Sequence, residues 1–188
     1  MKNLIFNGSP RKDGDTVYAI NELSEKLNGD IKLVNSYHSN IRPCNDCRHC
    51  LKIPECIIDD EMQNVYRYLV DCDNIVIASP IYFNQVTGSL LNVFSRLQML
   101  WTAKMHLNKS IITKEKQSAI ILCGGGVGDF KNAEATAKII LKQMNGFKYY
   151  LGCIVFNNTD NLQSRDNIKS INNLYSLAEN LNKGLILS

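Results

Sequence analysis

The sequence predicts an α/β protein: five short parallel strands in one sheet, doubly wound, with helices on both faces. Three observations carry this. Short apolar runs alternate with stretches of helical period along the chain. Inner runs such as Asn74-Ile-Val-Ile-Ala78 are apolar without alternation, which suits strands buried on both faces. Turn residues follow strand ends: Gly8, Ser79-Pro80 and Gly124-Gly125-Gly126.

Leu4 to Asn7 is the first strand and ends at Gly8. Thr16 to Leu27 reads as a helix, with Val17, Ile20, Leu23 and Leu27 on one face and Gly29 just past its end. Ile31 to Asn35 is the second strand, and a cysteine-rich insertion of about residues 43–58 follows. Asp59 or Asp60 can cap the next helix, which carries Met62, Val65, Leu69 and Val70. Asn74 to Ala78 is the third strand, and one long helix is expected from about Thr87 to Leu100. Ser118 to Cys123 is the fourth strand, Ala133 to Met144 a helix and Tyr150 to Phe156 the fifth strand. Ile168, Ile171, Leu174, Ala178 and Leu181 line the last helix. Five strand–helix units make a parallel sheet of order 2-1-3-4-5, with a ligand site beyond the carboxyl ends of the strands.

The 188 residues read as one domain, 1–188, with an apolar fraction of 45%. The net charge of +3 is spread along the chain, so no footprint for nucleic acid or a membrane surface is expected. The first apolar run is too short for a signal peptide. No run reaches the roughly 18 apolar residues of a membrane span. These readings make the protein cytoplasmic, where thiols stay reduced and seven cysteines point to metal or redox chemistry.

Three loops converge on the carboxyl edge of the sheet. Gly8-Ser9-Pro10-Arg11-Lys12-Asp13-Gly14-Asp15-Thr16 joins a strand to a helix. Its helix-start amides, the hydroxyls of Ser9 and Thr16 and the Arg11 guanidinium suit a phosphate. It is neither a Walker loop nor a G-x-G-x-x-G turn. The blander reading is a solvated turn with Asp15 as the helix cap. In Ser79-Pro80-Ile81-Tyr82-Phe83-Asn84-Gln85, two adjacent aromatics can flank a flat ring. The alternative is a hydrophobic plug over the sheet. Gly124-Gly125-Gly126-Val127-Gly128 lets the backbone approach a planar ligand, or is a flexible turn. A mononucleotide with a wide ring fits all three, and FMN is the candidate.

Cys44, Cys47, Cys50 and Cys56 form C-x2-C-x2-C-x5-C. The first intervals match the ferredoxin run around a [4Fe–4S] cube, and the chain lacks the second C-x2-C knuckle usual in structural zinc sites.

With Gly8-Ser9-Pro10-Arg11-Lys12, Gly14 and Thr16, the cysteine loop, Asp60-Glu61-Met62-Gln63, and Ser79-Pro80-Ile81-Tyr82-Phe83 leading to Arg96, the chain resembles the NADPH-dependent FMN reductases. These belong to the flavodoxin-like superfamily, and the resemblance is strongest to their iron–sulfur flavoprotein group. It implies a flavodoxin-like fold and non-covalent FMN, with phosphate on Ser9, Arg11 and Thr16. It implies a flavin ring against Pro80, Ile81, Tyr82, Phe83 and Asn84 and against Gly124, Gly125 and Gly126. Gly14 belongs to the same loop motif. It also implies a candidate [4Fe–4S] cluster on Cys44, Cys47, Cys50 and Cys56. A homodimer or dimer of dimers follows, in which one subunit's cluster can lie near another's flavin. Asp15 departs from the family's usual Asn or Ser and is kept off the ligand set, and Glu61 replaces a usual Asp.

Three functions compete. The first is an electron-transfer protein, fed by a ferredoxin-like donor and passing electrons to a small-molecule acceptor. The second is a cluster-free flavin or quinone reductase with NAD(P)H as co-substrate. The third is a non-enzymatic metal-binding or redox-sensing module. No side chain is assigned as catalytic, because the cofactors carry the chemistry. His38, His49 and His106 read as surface residues, and Cys72, Cys123 and Cys153 as small packing groups. Met99, Leu100 and Trp101 are core or dimer interface, and Asp160 and Arg165 could form a surface pair.

Overall fold

A computed structural model describes residues 1–185. The elements run β1 (Lys2–Asn7), α1 (Asp15–Lys26), β2 (Asp30–Asn35), α2 (Met62–Asp71), β3 (Asn74–Pro80), α3 (Gly88–Ser95), α4 (Gln98–Leu107), β4 (Gln117–Cys123), α5 (Lys131–Gln143), β5 (Tyr149–Phe156) and α6 (Ile168–Lys183). All strand pairs are parallel, in the order β2-β1-β3-β4-β5.

The two faces of the sheet divide the core by strand period. Leu4, Phe6, Ile75, Ile77, Ile120 and Leu122 point to one face, under α2, α3, α4 and α5. Ile5, Val76, Ala78, Ala119 and Ile121 point to the other, under α1 and α6. This is why the inner strands show no polar alternation: β4 is buried at every position and β3 at all but the last. A polar rung closes the opposite edge from the site: the Asn74 amide donates to Asn3 Oδ1 at 2.7 Å, and the Gln117 amide to the Asn180 carbonyl at 3.2 Å.

Two expectations need correction. The long helix from Thr87 to Leu100 is instead two helices, α3 and α4, broken at Arg96 and Leu97. The Tyr66 hydroxyl donates to the Arg96 carbonyl at 2.6 Å, and Leu100 N–H turns to the Leu97 carbonyl at 2.9 Å. A tertiary partner thus takes the acceptor that the helical ladder would use, and the turn tightens. Gly29 is not the stop of α1, which ends at Lys26 with Leu27 extended. It serves the turn into β2: its φ is +89°, and a Cβ there would lie 2.1 Å from the Met1 carbonyl oxygen. Of the two candidate caps for α2, Asp60 does the work, accepting Met62 N–H at 3.0 Å.

Candidate functional site

Backbone bonds between strand ends build the site. Gly8 N–H donates to Ala78 O, Ile81 N–H to Cys123 O and Gly124 N–H to Phe156 O, each at 2.8 Å. These fix where the first, second and third loops leave the sheet. A cavity of about 210 Å³ opens between them. Ser9, Arg11, Gly14 and Thr16 form its first wall, Pro80, Ile81 and Tyr82 its second, and Gly125 with Asp160 its third.

At the first wall the Ser9 hydroxyl accepts Arg11 N–H and donates to the Arg11 carbonyl, both at 3.1 Å, which folds the loop tightly. Gly14 precedes α1 and supplies no capping side chain. A Cβ on Gly14 would come within 3.2 Å of the Arg11 side chain, so the guanidinium arm lies over the helix start. The first-turn amides of α1 and the Arg11 charge therefore favour an anion. Asp15 lines the same wall; its carboxylate accepts Ser164 N–H at 3.1 Å, a bond that offsets part of the repulsion expected of an acid beside phosphate.

The second loop closes on itself. Tyr82 and Gln85 exchange backbone bonds at 2.9 and 3.0 Å, around Phe83 and Asn84 at φ +51° and +59°. Tyr82 reaches the cavity, whereas Phe83 stands fully exposed at the tip and Asn84 beside it lies outside the wall.

The carbonyls of Gly124, Gly125 and Gly126 accept the N–H groups of Thr159, Asp160 and Asn158 at 3.0, 3.1 and 2.8 Å. Among the described residues, the amides of Gly125 and Gly126 have no protein partner, so this loop presents donors. Gly125 also lines the cavity, while Gly124 and Gly126 are not in its wall. A Cβ on Gly125 would meet the Asp160 carboxylate at 2.6 Å. Asp160, like Thr159, lines the wall without a site role assigned from the sequence. Its signal was the adjacency of strands 4 and 5, which brings the loop after β5 beside the glycine loop. Among the described residues it forms no ion pair with Arg165. Cys123 forms part of the wall; burial pushes its thiol up to about 12, with the Thr16 hydroxyl acting against that rise. It stays an uncharged thiol there.

The cysteine loop lines a second cavity, of about 290 Å³. Cys44, Cys47, Cys50 and Cys56 all lie in its wall, with Met99, Trp101 and His106 opposite. Four thiols facing an apolar wall are a donor set that suits soft metals or an iron–sulfur cluster. Among the described residues no three His, Cys, Asp or Glu side chains gather closely enough to hold a single metal ion. His49 lies 3.4 Å from Glu55 across this loop. Cys72 and Cys153, away from both cavities, are packing groups whose thiols burial pushes up to about 12. Met99 and Leu100 belong to the core, while Trp101 is partly exposed.

A family model described as NADPH-dependent FMN reductase matches residues 1–160. The chain belongs to this family. An iron-sulfur flavoprotein of Methanocaldococcus jannaschii is 34% identical over 104 residues, which cover 53% of this chain and 52% of that protein. One of Methanosarcina thermophila is 27% identical over 128 residues, 66% of this chain and 64% of the relative. The chain thus spans about half the length of the first of these relatives and nearer two thirds of the second. Among solved structures, an FMN-dependent NADH-azoreductase of Bacillus anthracis in complex with FMN superposes with a TM-score of 0.70 at 11% identity, covering 97% of this chain and 100% of that one. An NAD(P)H:quinone oxidoreductase of Methanothermobacter marburgensis gives 0.71 at 12% identity, covering 96% of each. At such identity these two share the fold. No helix among the described residues is long and apolar enough to cross a membrane.

Proposed function

We propose that the chain is a single FMN-binding unit and a flavin-dependent oxidoreductase. Ser9, Arg11, Gly14, Thr16 and the first turn of α1 hold the phosphate. Pro80, Ile81 and Tyr82 and the glycine loop Gly124–Gly126 hold the ring, with Phe83 and Asn84 framing its edge. The observation that carries this reading is that all three loops open into one cavity, with the first-turn amides of α1 on one wall and, among the described residues, unpartnered glycine amides on another. FMN, when bound, supplies hydride uptake and single-electron transfer. The chain's own residues bind and orient: Arg11 neutralises the phosphate, the Gly125 and Gly126 amides donate to ring heteroatoms, and Cys123 keeps the floor uncharged. Asp160 offers an acceptor to a ligand hydroxyl or N–H. The test is anaerobic titration with FMN. Stoichiometric quenching of flavin fluorescence is expected, and a chain that neither retains nor takes up FMN overturns the reading.

The iron-sulfur flavoprotein relatives extend this to a [4Fe–4S] cluster on Cys44, Cys47, Cys50 and Cys56. A ferredoxin-like donor, a small-molecule acceptor, a cytoplasmic setting and a homodimer or dimer of dimers complete that reading. Support comes from the thiol set lining one cavity. Iron and sulfide analysis under anoxia tests it, and an FMN-loaded chain without a full complement of both removes the cluster.

A second reading, an NAD(P)H-dependent flavin or quinone reductase without a cluster, is supported by the match of residues 1–160 to the NADPH-dependent FMN reductase family. Stopped-flow reduction separates the two. Rapid reduction of bound FMN by NAD(P)H supports the reductase, whereas slow reduction beside rapid ferredoxin-driven reduction supports the cluster protein.

A further inference from the structure

Arg96 stands at the break between α3 and α4 with its side chain wholly buried. One terminal nitrogen donates to the Arg42 carbonyl at 2.9 Å and to Asp60 Oδ2 at 2.6 Å. The other donates to the Ile58 carbonyl at 3.1 Å. Arg42 and Ile58 flank the cysteine loop, two residues before Cys44 and two after Cys56. One guanidinium therefore joins both stems. Asp60 completes the knot by accepting Arg42 N–H at 3.0 Å. Gln63, which donates to the Cys56 and Ile58 carbonyls at 2.7 and 2.8 Å, holds the outgoing stem alone.

Arg96 Nε is buried and has no partner, although Arg96 lines the same cavity as the four thiols. A buried donor left unmatched is costly and calls for a partner. Burial would lower the Arg96 pKa, but the Asp60 carboxylate, with Tyr66 and Cys56, holds it above its ordinary value. Burial also raises the Tyr66 phenol, and the Cys56 thiol adds to that rise. Arg96 and Tyr66, whose hydroxyl donates to the Arg96 carbonyl, thus form one buried pair beneath the loop.

We propose that Arg96 is the positioning residue of the cysteine quartet: its terminal nitrogens clamp both stems of the loop, so that the four thiols line one cavity before any metal or cluster binds. This deepens the cluster reading above, but its test uses the reduced, metal-free chain. A planar fork is needed, because the compact ammonium of lysine cannot reach two carbonyls and a carboxylate together.

Two measurements on that chain decide it. In wild type, the Arg96 Nε–H resonance is expected to exchange with water at least tenfold more slowly than that of the exposed Arg48, and exchange as fast as that of Arg48 overturns the buried clamp. In Arg96→Lys, trypsin is expected to cut after Arg48 or Lys52 at least tenfold faster than in wild type, after correction for global stability. Cleavage at the wild-type rate overturns the clamp. FMN titration of the same variant keeps the outcomes apart: normal FMN uptake with a loosened loop is expected, whereas failure of wild type to take up FMN counts against the cofactor site alone.

Discussion

The cavity between the three strand-end loops and the cysteine loop are held in opposite ways. Each cavity loop is anchored by a backbone bond from one strand end to the next, at Gly8, Ile81 and Gly124. The cysteine loop lies between β2 and α2, has only one 3₁₀ turn, at His49–Leu51, and lies off the sheet. Side chains tie it down: Arg96, Asp60, Gln63 and the Ser95 hydroxyl, which accepts Cys44 N–H at 2.9 Å. A wall made of sheet backbone survives most single substitutions. A loop held by one buried ion pair does not.

The largest break in that contrast is Asp60→Ala. Both side chains of the Asp60–Arg96 pair are at most 1% exposed. Removing one partner strands a buried charge, at a cost of about 3–5 kcal/mol, read from urea unfolding at neutral pH. The pair also predicts acid sensitivity. Burial would raise the Asp60 carboxyl, but the Arg96 guanidinium and the Arg42 and Met62 N–H groups outweigh it and hold it below the usual carboxylate range. With the folded pKa depressed, this stability is complete above the unfolded value of about 3.9. It is lost as pH falls through the folded value. Wild type should therefore lose stability on acidification below about pH 4, and Asp60→Ala should lose less over that interval.

Arg11→Ala probes the other region. Arg11 is exposed, so stability should hold while FMN affinity drops. Loss of charge-assisted bonds worth about 1.5–3 kcal/mol corresponds to about 10- to 150-fold in the dissociation constant. Unchanged affinity would move the phosphate away from this loop. Gly8→Ala tests the backbone anchors themselves. A Cβ there would sit 2.8 Å from Ser79 Oγ, 2.9 Å from Thr87 Oγ1 and 3.0 Å from Leu90 Cδ2. Overpacking of that kind costs about 1–3 kcal/mol. A thermal melt equal to wild type would show that the junction of β1 and β3 has slack.

The same contrast explains what could be read from the chain. Strands β1, β3 and β4 and the strand-to-helix turn after β1 were legible, because burial on both faces and strand-end turn residues leave a local signature, as in Asn74–Ala78 and Gly8–Ser9. The break at Arg96 was not, because its cause is the hydroxyl of Tyr66, thirty positions away in the chain. Asp160 was missed for a similar reason: only the juxtaposition of β4 and β5 brings it against Gly125. The cysteine spacing was plain, but spacing carries no information about the Arg96 clamp that holds both stems.

The smallest expected effect lies at the tip of the second loop, where the backbone pattern and the side chain disagree. A two-residue hairpin turn with positive φ at both central positions favours Asn and Gly. Asn84 suits its φ of +59°, whereas Phe83 at +51° does not. Its ring is fully exposed, so no packing compensates in the free chain. Left-handed backbone costs a bulky residue about 1–2 kcal/mol, and the greater chain entropy of glycine returns about 0.5–1 kcal/mol of that. Phe83→Gly should therefore raise the stability of the FMN-free protein by about 0.5 kcal/mol. Strain retained at a site's rim points to a use for the ring, so the same variant should bind FMN more weakly. Thermal melts and flavin titration of one preparation read both effects. A variant no more stable than wild type removes the strain, and unchanged FMN affinity removes Phe83 from the ligand set.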